Sequence, residues 1–228
     1  MHIVCFDLDD TLYKEVDYLK SAYMEIAAYA VSHCEDSVVS HSLLANGAYN
    51  EMYAAYKRGE NAFERLNEYL KKDICLGEYL KIYREHRPNI KLSEGVVSTL
   101  DVLKDKGDII GIITDGRSVQ QRNKIDALGI YKWIFDENIV ISEEFGSEKP
   151  NISNYQYFMN KYPKCRDFAY VGDNPIKDFI APNSLGWATF CLEDDGRNIH
   201  SQSMKQLNPS YWPAFKIKSL RDLMRFYR

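Results

Sequence analysis

From residue 93 to residue 192 the chain alternates between two hydrophobic periodicities, and this limits its possible folds more than any other feature. "SEGVVSTLDVLKDKG" (93–107) has helical spacing, with Ser93 placed to cap its start and Gly107 just past its end. "DIIGIIT" (108–114) is a β-branched apolar run, "SVQQRNKIDALG" (118–129) a helix stopped by Gly129, and "NIVIS" (138–142) another strand. "NISNYQYFMNKY" (151–162) reads as helix and "DFAYVG" (167–172) as strand. "PIKDFIAPNSLG" (175–186) reads as a helix broken near Pro182, and "WATFCL" (187–192) as strand. Residues 2–7 add a buried strand at the start. Strands separated by helices need right-handed crossovers, hence a parallel sheet covered on both faces. The expectation is an α/β, doubly wound, Rossmann-like core.

Residues 15–87 interrupt this pattern. Leu19, Ala22, Tyr23, Ile26, Ala27 and Ala30 follow the 3,4 spacing of one helix face, as do Phe63, Leu66 and Leu70, and Leu76, Tyr79, Leu80 and Tyr83. This predicts a block of about four helices ending at Pro88. Its tyrosines, Tyr18, Tyr23, Tyr53, Tyr56, Tyr69, Tyr79 and Tyr83, are expected to pack as core rather than form a substrate platform. Residues 193–212 are polar and irregular, as expected of a surface loop, and "SLRDLMRFY" (219–227) reads as a closing helix.

Composition serves mainly to exclude. A net charge of −4 and a pI near 5.8 leave no basic excess for nucleic acid. No apolar run reaches the length of a membrane span, and residues 1–15 are too acidic for a signal peptide, so a cytoplasmic protein is expected. Five scattered cysteines without a CxxC pair read as reduced core thiols, not a zinc site. The histidines form no cluster, and none is assigned a role.

The chemistry is concentrated in "IVCFDLDDTLY" (3–13), where Asp7, Asp9 and Asp10 follow the first strand. Carboxylates this close repel and raise one another's pKa values unless a cation, a phosphate or both lie among them. Doubly wound sheets bind ligands outside the carboxyl ends of their strands. Polar residues recur at such ends: Thr114 in "ITDGR", Lys149 in "EKP", and Asp173 and Asp178 in "VGDNPIKD". Phosphoryl transfer needs this set. A carboxylate attacks phosphorus only if the charge on both partners is neutralised. Magnesium bound by Asp7 and Asp173 would do that, while Thr114 and Lys149 hold phosphate oxygens. Asp9 could protonate the leaving oxygen and later deprotonate water. That role favours a raised pKa, which repulsion from its neighbours is expected to supply.

"DLDDT", Thr114, Lys149 and "GDNPIKD" resemble the four motifs of the haloacid dehalogenase superfamily, in the same order and across the whole chain. A DxDxT alone would arise by chance in a chain this long at a rate of about a few per cent; four motifs in register would not. The resemblance implies that Asp7 is the nucleophile and Asp9 the acid/base. It implies that Asp7, the backbone carbonyl of Asp9, and Asp173 hold Mg2+, and that Thr114, Asp115, Gly116 and Lys149 hold phosphate. Asp178 would either ligate the metal through water or orient Lys149.

Asp7 lies about three times farther from Thr114 along the chain than Thr114 does from Lys149. The resemblance therefore implies an all-helical cap inserted after the first motif, at residues 14–89, with the core at 1–13 and 90–228. The implied activity is that of a magnesium-dependent phosphatase acting on a small phosphorylated metabolite, a sugar phosphate or nucleotide monophosphate, through an aspartyl-phosphate. A phosphomutase would keep the same residues. A haloacid dehalogenase would lack Asp9. A phospho-accepting signalling domain would be about half this length, with its phosphoacceptor after a later strand. No nucleic-acid or membrane partner is expected. The oligomeric state is left open, and a monomer is compatible with the sequence. Two residues depart from the commonest family pattern. Asp10 stands where glycine is frequent. Arg117 is open to two readings, a salt-bridged residue at a helix start or a further contact to substrate.

Overall fold

The computed structural model describes residues 1–34 and 41–226. Chain order is β1 (Ile3–Phe6), α1 (Glu15–Ser32), α2 (His41–Arg58), α3 (Ala62–Leu70), α4 (Leu76–Glu85), α5 (Glu94–Asp105), β2 (Ile109–Thr114) and α6 (Ser118–Leu128). There follow β3 (Ile139–Ile141), α7 (Ser142–Phe145), α8 (Ser153–Lys161), β4 (Phe168–Gly172), α9 (Ile180–Ser184), β5 (Ala188–Leu192) and β6 (Phe215–Ile217). The chain divides into two compact units, Met1–Val16 with Lys91–Arg228, and Asp17–Ile90.

The first unit is a six-stranded sheet of order β3-β2-β1-β4-β5-β6, parallel at every pairing. This is the doubly wound Rossmann-like fold. Every residue of β1 and β3 is buried, the pattern of strands covered on both faces. The order reverses at β1, with β2 on one side and β4 on the other, so a crevice opens between the carboxyl ends of β1 and β4. Ser93 caps α5 by accepting from Val96 N, and Gly129 ends α6.

The second unit is all-helical. Tyr18, Tyr23 and Tyr79 are buried, and Phe63 lies against Tyr23 and Tyr79. Tyr79 OH also donates to Asn67 Oδ1 at 2.8 Å. The expected tyrosine core is thus only partial: Tyr53, Tyr56 and Tyr83 are half-buried, and Tyr69 is exposed.

Several expectations need correction. Pro182 does not break a long helix: residues 175–178 form turns, and α9 is a short helix that contains the proline. Helix α8 starts at Ser153 rather than Asn151, and Asn151 Oδ1 accepts from Ser153 N at 3.0 Å. Residues 220–225 wind as a 3₁₀ helix held by a Ser219/Asp222 capping box, and Tyr227 of the expected closing helix lies outside the described residues. Edge strand β6 is too short for its period to show in the sequence. No cysteine is paired among the described residues, but Cys75 is exposed at the start of α4 and Cys34 is half-buried, so only Cys5, Cys165 and Cys191 are core thiols. No helix among the described residues is long and apolar enough to cross a membrane.

Candidate active site

Asp7 is the first residue past β1, and its N–H donates to Val171 O of β4 at 2.8 Å. Two residues past Val171 comes Asp173, so the two carboxylates meet at the point where the strand order reverses. Asp7, Asp173 and Asp178 each bring a carboxylate oxygen within 4.8 Å of the other two. Asp178 is completely buried. Its Oδ2 accepts from Asp173 N at 3.1 Å and Asn174 N at 2.8 Å, and its Oδ1 accepts from Lys149 Nζ at 2.8 Å. A Cβ on Gly172 would stand 2.4 Å from Asp178 Oδ2, so only glycine lets that carboxylate under the turn carrying Asp173. Lys149 Nζ lies 2.9 Å from Asp7 Oδ1 and donates to Tyr170 OH at 3.0 Å.

This cluster is acidic beyond what Lys149 can balance. Burial pushes Asp7 up to about 7, against the pull of Lys149. Burial, reinforced by Asp7 and Asp178, pushes Asp173 up to about 8. Burial alone would lower Lys149, but Asp178 and Asp7 outweigh it and raise the ammonium well above its usual range. Three buried carboxylates around one ammonium are a donor set suited to a hard divalent cation. Magnesium fits such a set, and Asp7, Asp173 and Asp178 are the carboxylates near enough to hold it, although both oxygens of Asp178 already accept from Lys149 and the turn.

Asp9 does not behave as expected. Lys124 Nζ lies 2.7 Å from its Oδ1 and 2.9 Å from its Oδ2. Gln121 Nε2 donates to Oδ2 at 2.9 Å, and Tyr13 OH donates to Oδ1. Burial acts to raise its pKa, but Lys124 and these hydrogen bonds outweigh it and hold the carboxyl below its usual range. The expected elevation by neighbouring carboxylates is overturned, because a buried ammonium from α6 lies against this aspartate.

Thr114 ends β2, and its Oγ1 accepts from Gln121 Nε2 at 2.7 Å. With one lone pair filled by that N–H, the hydroxyl hydrogen is left to donate elsewhere. The Asp115 carboxylate accepts from Lys149 N at 2.9 Å and Lys177 Nζ at 3.1 Å. As an anion it would repel a phosphate, so only its backbone N–H suits one. Gly116 donates its N–H to Ser142 Oγ at 3.0 Å and has φ +145°, with Gln121 packed where a Cβ would stand. Arg117 is the exposed residue before α6 and pairs with Glu143 at 2.6 Å. Its contact is that of a salt-bridged residue at a helix start.

Asp10 has a left-handed backbone, φ +53°, which accounts for a glycine preference at this position. Its carboxylate accepts from Glu15 N at 2.9 Å and Ile199 N at 2.8 Å, offsetting a strain of about 1 kcal/mol. The second of these bonds belongs to a segment expected to be simple surface loop. Asp194 Oδ1 gathers the N–H groups of Gly196, Arg197 and Asn198 into a turn. From that turn Asn198 Nδ2 donates to Asp173 Oδ2 at 2.9 Å, and its Oδ1 accepts from Lys14 Nζ at 2.7 Å.

A recess of about 110 Å³ lies over the cluster, lined by Asp7, Asp9, Asp10, Thr114, Asp115, Lys149 and Asp173. Glu15, Asn174, Lys177 and His200 also line it. Gln121, Lys124, Asn198 and His200 also stand at or beside the site, outside the four motifs. A signal for two of them existed: Gln121, Lys124, Ile125 and Leu128 form the buried face of α6, and the first two are polar at apolar spacing.

The haloacid dehalogenase-like hydrolase family model matches residues 4–191, most of the chain. The protein belongs to that family. A similar relative of this hydrolase is the glyceraldehyde 3-phosphate phosphatase of Methanocaldococcus jannaschii, 28% identical, with 97% of this chain and 94% of the relative covered. The pyrimidine 5'-nucleotidase YjjG of Escherichia coli is 25% identical, covering 97% and 96%. Among solved structures, the HAD-hydrolase YfnB of Bacillus subtilis superposes with a TM-score of 0.65 at 18% identity, over 99% of this hydrolase and 97% of that chain. That likeness concerns the fold alone.

Proposed function

We propose that this hydrolase is a magnesium-dependent phosphatase that removes phosphate from a small phosphorylated metabolite, a sugar phosphate or nucleotide monophosphate. The observation that carries the reading is the convergence of Asp7, Asp173 and Lys149 at the reversal point of the sheet, under a recess reached by Thr114. The phosphatase and nucleotidase names of the relatives support the substrate class, and the converging carboxylates of Asp7, Asp173 and Asp178 support the metal. Magnesium, when bound, neutralises the charge that keeps a phosphate dianion from Asp7. In this reading Asp7 attacks phosphorus, while Thr114 Oγ1 and Lys149 Nζ hold phosphate oxygens. Asp9, an anion beside Lys124, is ready to accept a proton from water. To donate one to the leaving oxygen its pKa must rise, and an arriving phosphate dianion has that effect. The helical unit, residues 17–90, would select among small substrates as a cap.

The test is turnover of a panel of phosphorylated metabolites, with magnesium and with excess chelator. Activity on one or more metabolites well above that on 4-nitrophenyl phosphate, lost in chelator and restored by magnesium, is expected. Full activity in chelator would exclude the mechanism.

Asn198 provides a further check. Its amide fixes Asp173 Oδ2, and loss of such a partner weakens metal binding by about 10- to 100-fold. Asn198→Ala should therefore raise the magnesium concentration for half activity while leaving the rate at saturating magnesium within a few-fold. An unchanged magnesium requirement would mean that the loop does not act on Asp173.

A further inference from the structure

Lys124 and Gln121 are both almost completely buried, at 1% exposure, on a helix whose remaining buried residues are apolar. Burying an ammonium costs several kcal/mol unless it is paired. Both point at one target. Lys124 Nζ reaches the two oxygens of Asp9 at 2.7 and 2.9 Å, across 115 residues of sequence. Its other carboxylate neighbour, Glu15, stands at 3.9 Å. Gln121 Nε2 donates to Asp9 Oδ2 at 2.9 Å and to Thr114 Oγ1 at 2.7 Å. One amide nitrogen thus ties the acid/base residue to the hydroxyl proposed to hold phosphate. The backbone makes room for this: Gly116, the only residue type without a Cβ, lies where a side chain would press on Gln121 at 3.1 Å.

We propose that Lys124 and Gln121 are positioning residues that fix Asp9 relative to Thr114, so that a phosphate seated on Thr114 presents its leaving oxygen to Asp9. Neither touches substrate. Lys124 restrains both carboxylate oxygens and Gln121 sets their distance from the phosphate hydroxyl. Removing either lets Asp9 turn away from the leaving oxygen. The proposal rests on the phosphatase reading above and predicts a loss that is greatest in the steps that need Asp9. Those steps are protonation of a basic leaving group and activation of water. Attack of Asp7 on a phosphate ester with a stable leaving group needs neither.

The test compares phenyl phosphate with 4-nitrophenyl phosphate, which share a ring but differ in how much their leaving oxygen needs a proton. Rapid quenching follows phosphorylation of Asp7 in the wild type, Lys124→Met and Gln121→Met. Gln121→Met leaves Lys124 paired with Asp9, so it keeps the comparison valid if Lys124→Met fails to fold. Positioned acid catalysis is worth about 100- to 10,000-fold. The ratio of the 4-nitrophenyl phosphate rate to the phenyl phosphate rate should rise at least about tenfold in each folded variant, because loss of the Gln121–Thr114 bond acts on both substrates alike. Equal losses on both substrates, or no loss on phenyl phosphate, would overturn the positioning role while the wild type still labels Asp7. Absence of label in the wild type would overturn the phosphatase reading and this inference together.

Discussion

Asp9→Asn, mixed with 4-nitrophenyl phosphate, should release about one nitrophenol per protein and then slow by about 100- to 10,000-fold, the usual worth of a positioned acid/base. Asparagine keeps the size of the side chain and an oxygen to accept from Lys124, which lies 2.7 Å from Asp9 Oδ1, and Glu15 remains 3.9 Å from that ammonium. The variant gives up the ion pair with the buried Lys124 and should be less stable than the wild type, so the burst is read per folded protein. Nitrophenolate departs without a proton, so Asp7 becomes phosphorylated at close to the normal rate. The aspartyl-phosphate then waits for water, and the amide cannot take the proton that water must lose. With an alkyl phosphate the same variant should fail at the first half, because an alkoxide leaves poorly unprotonated. Intact-mass analysis of the stalled protein should show one added phosphate, and peptide mapping should place it on Asp7. Steady turnover at the wild-type rate, or label on another residue, would contradict the assignment of roles. Asp7→Ala should give neither burst nor label.

Lys149→Met should lower stability and activity together. The ammonium sits 2.9 Å from Asp7 Oδ1 and 2.8 Å from Asp178 Oδ1, and all three groups are buried. Methionine fills similar volume but leaves two carboxylates facing each other in low dielectric. Breaking one partner out of a buried ion pair costs about 3–5 kcal/mol. A denaturant titration should show a loss of that size without a change in slope, as expected when stability alone changes. Catalysis loses a charge on the transferring phosphate as well, worth about 100- to 1,000-fold for one preorganised donor. Magnesium should recover part of the stability of Lys149→Met, since a divalent cation at Asp7 and Asp173 replaces the missing positive charge. A variant as stable as the wild type in chelator would show that the Asp7–Asp178 repulsion is not what Lys149 relieves.

The alternation of β1 to β5 with helices is legible in the sequence, because those elements are written in local periods, whereas β6 and the 3₁₀ turn at 220–225 are not. Ser93 at the start of α5, Gly129 at the end of α6 and the β-branched run of β2 are all signals within a few residues of what they control. The sequence also determined which strand ends carry chemistry, since a carboxylate or lysine directly after a buried apolar run is locally conspicuous. Asp7, Thr114, Lys149 and Asp173 were legible for that reason.

Which of these groups meet depends on the crossovers of the fold. Asp7 and Asp173 become neighbours only because the sheet reverses at β1 and brings β4 beside it. The pKa of Asp9 moves down rather than up, because the buried ammonium of Lys124 reaches it from 115 residues away. Asn198 and the Ile199 N–H come from a stretch whose polarity looked like solvent exposure, yet they hold Asp173 and Asp10. Local periodicity is fixed by covalent geometry and by which side faces water. The partner of a buried charge is fixed by crossovers and loop closure, which sum over the whole chain and leave no mark in any short window of it.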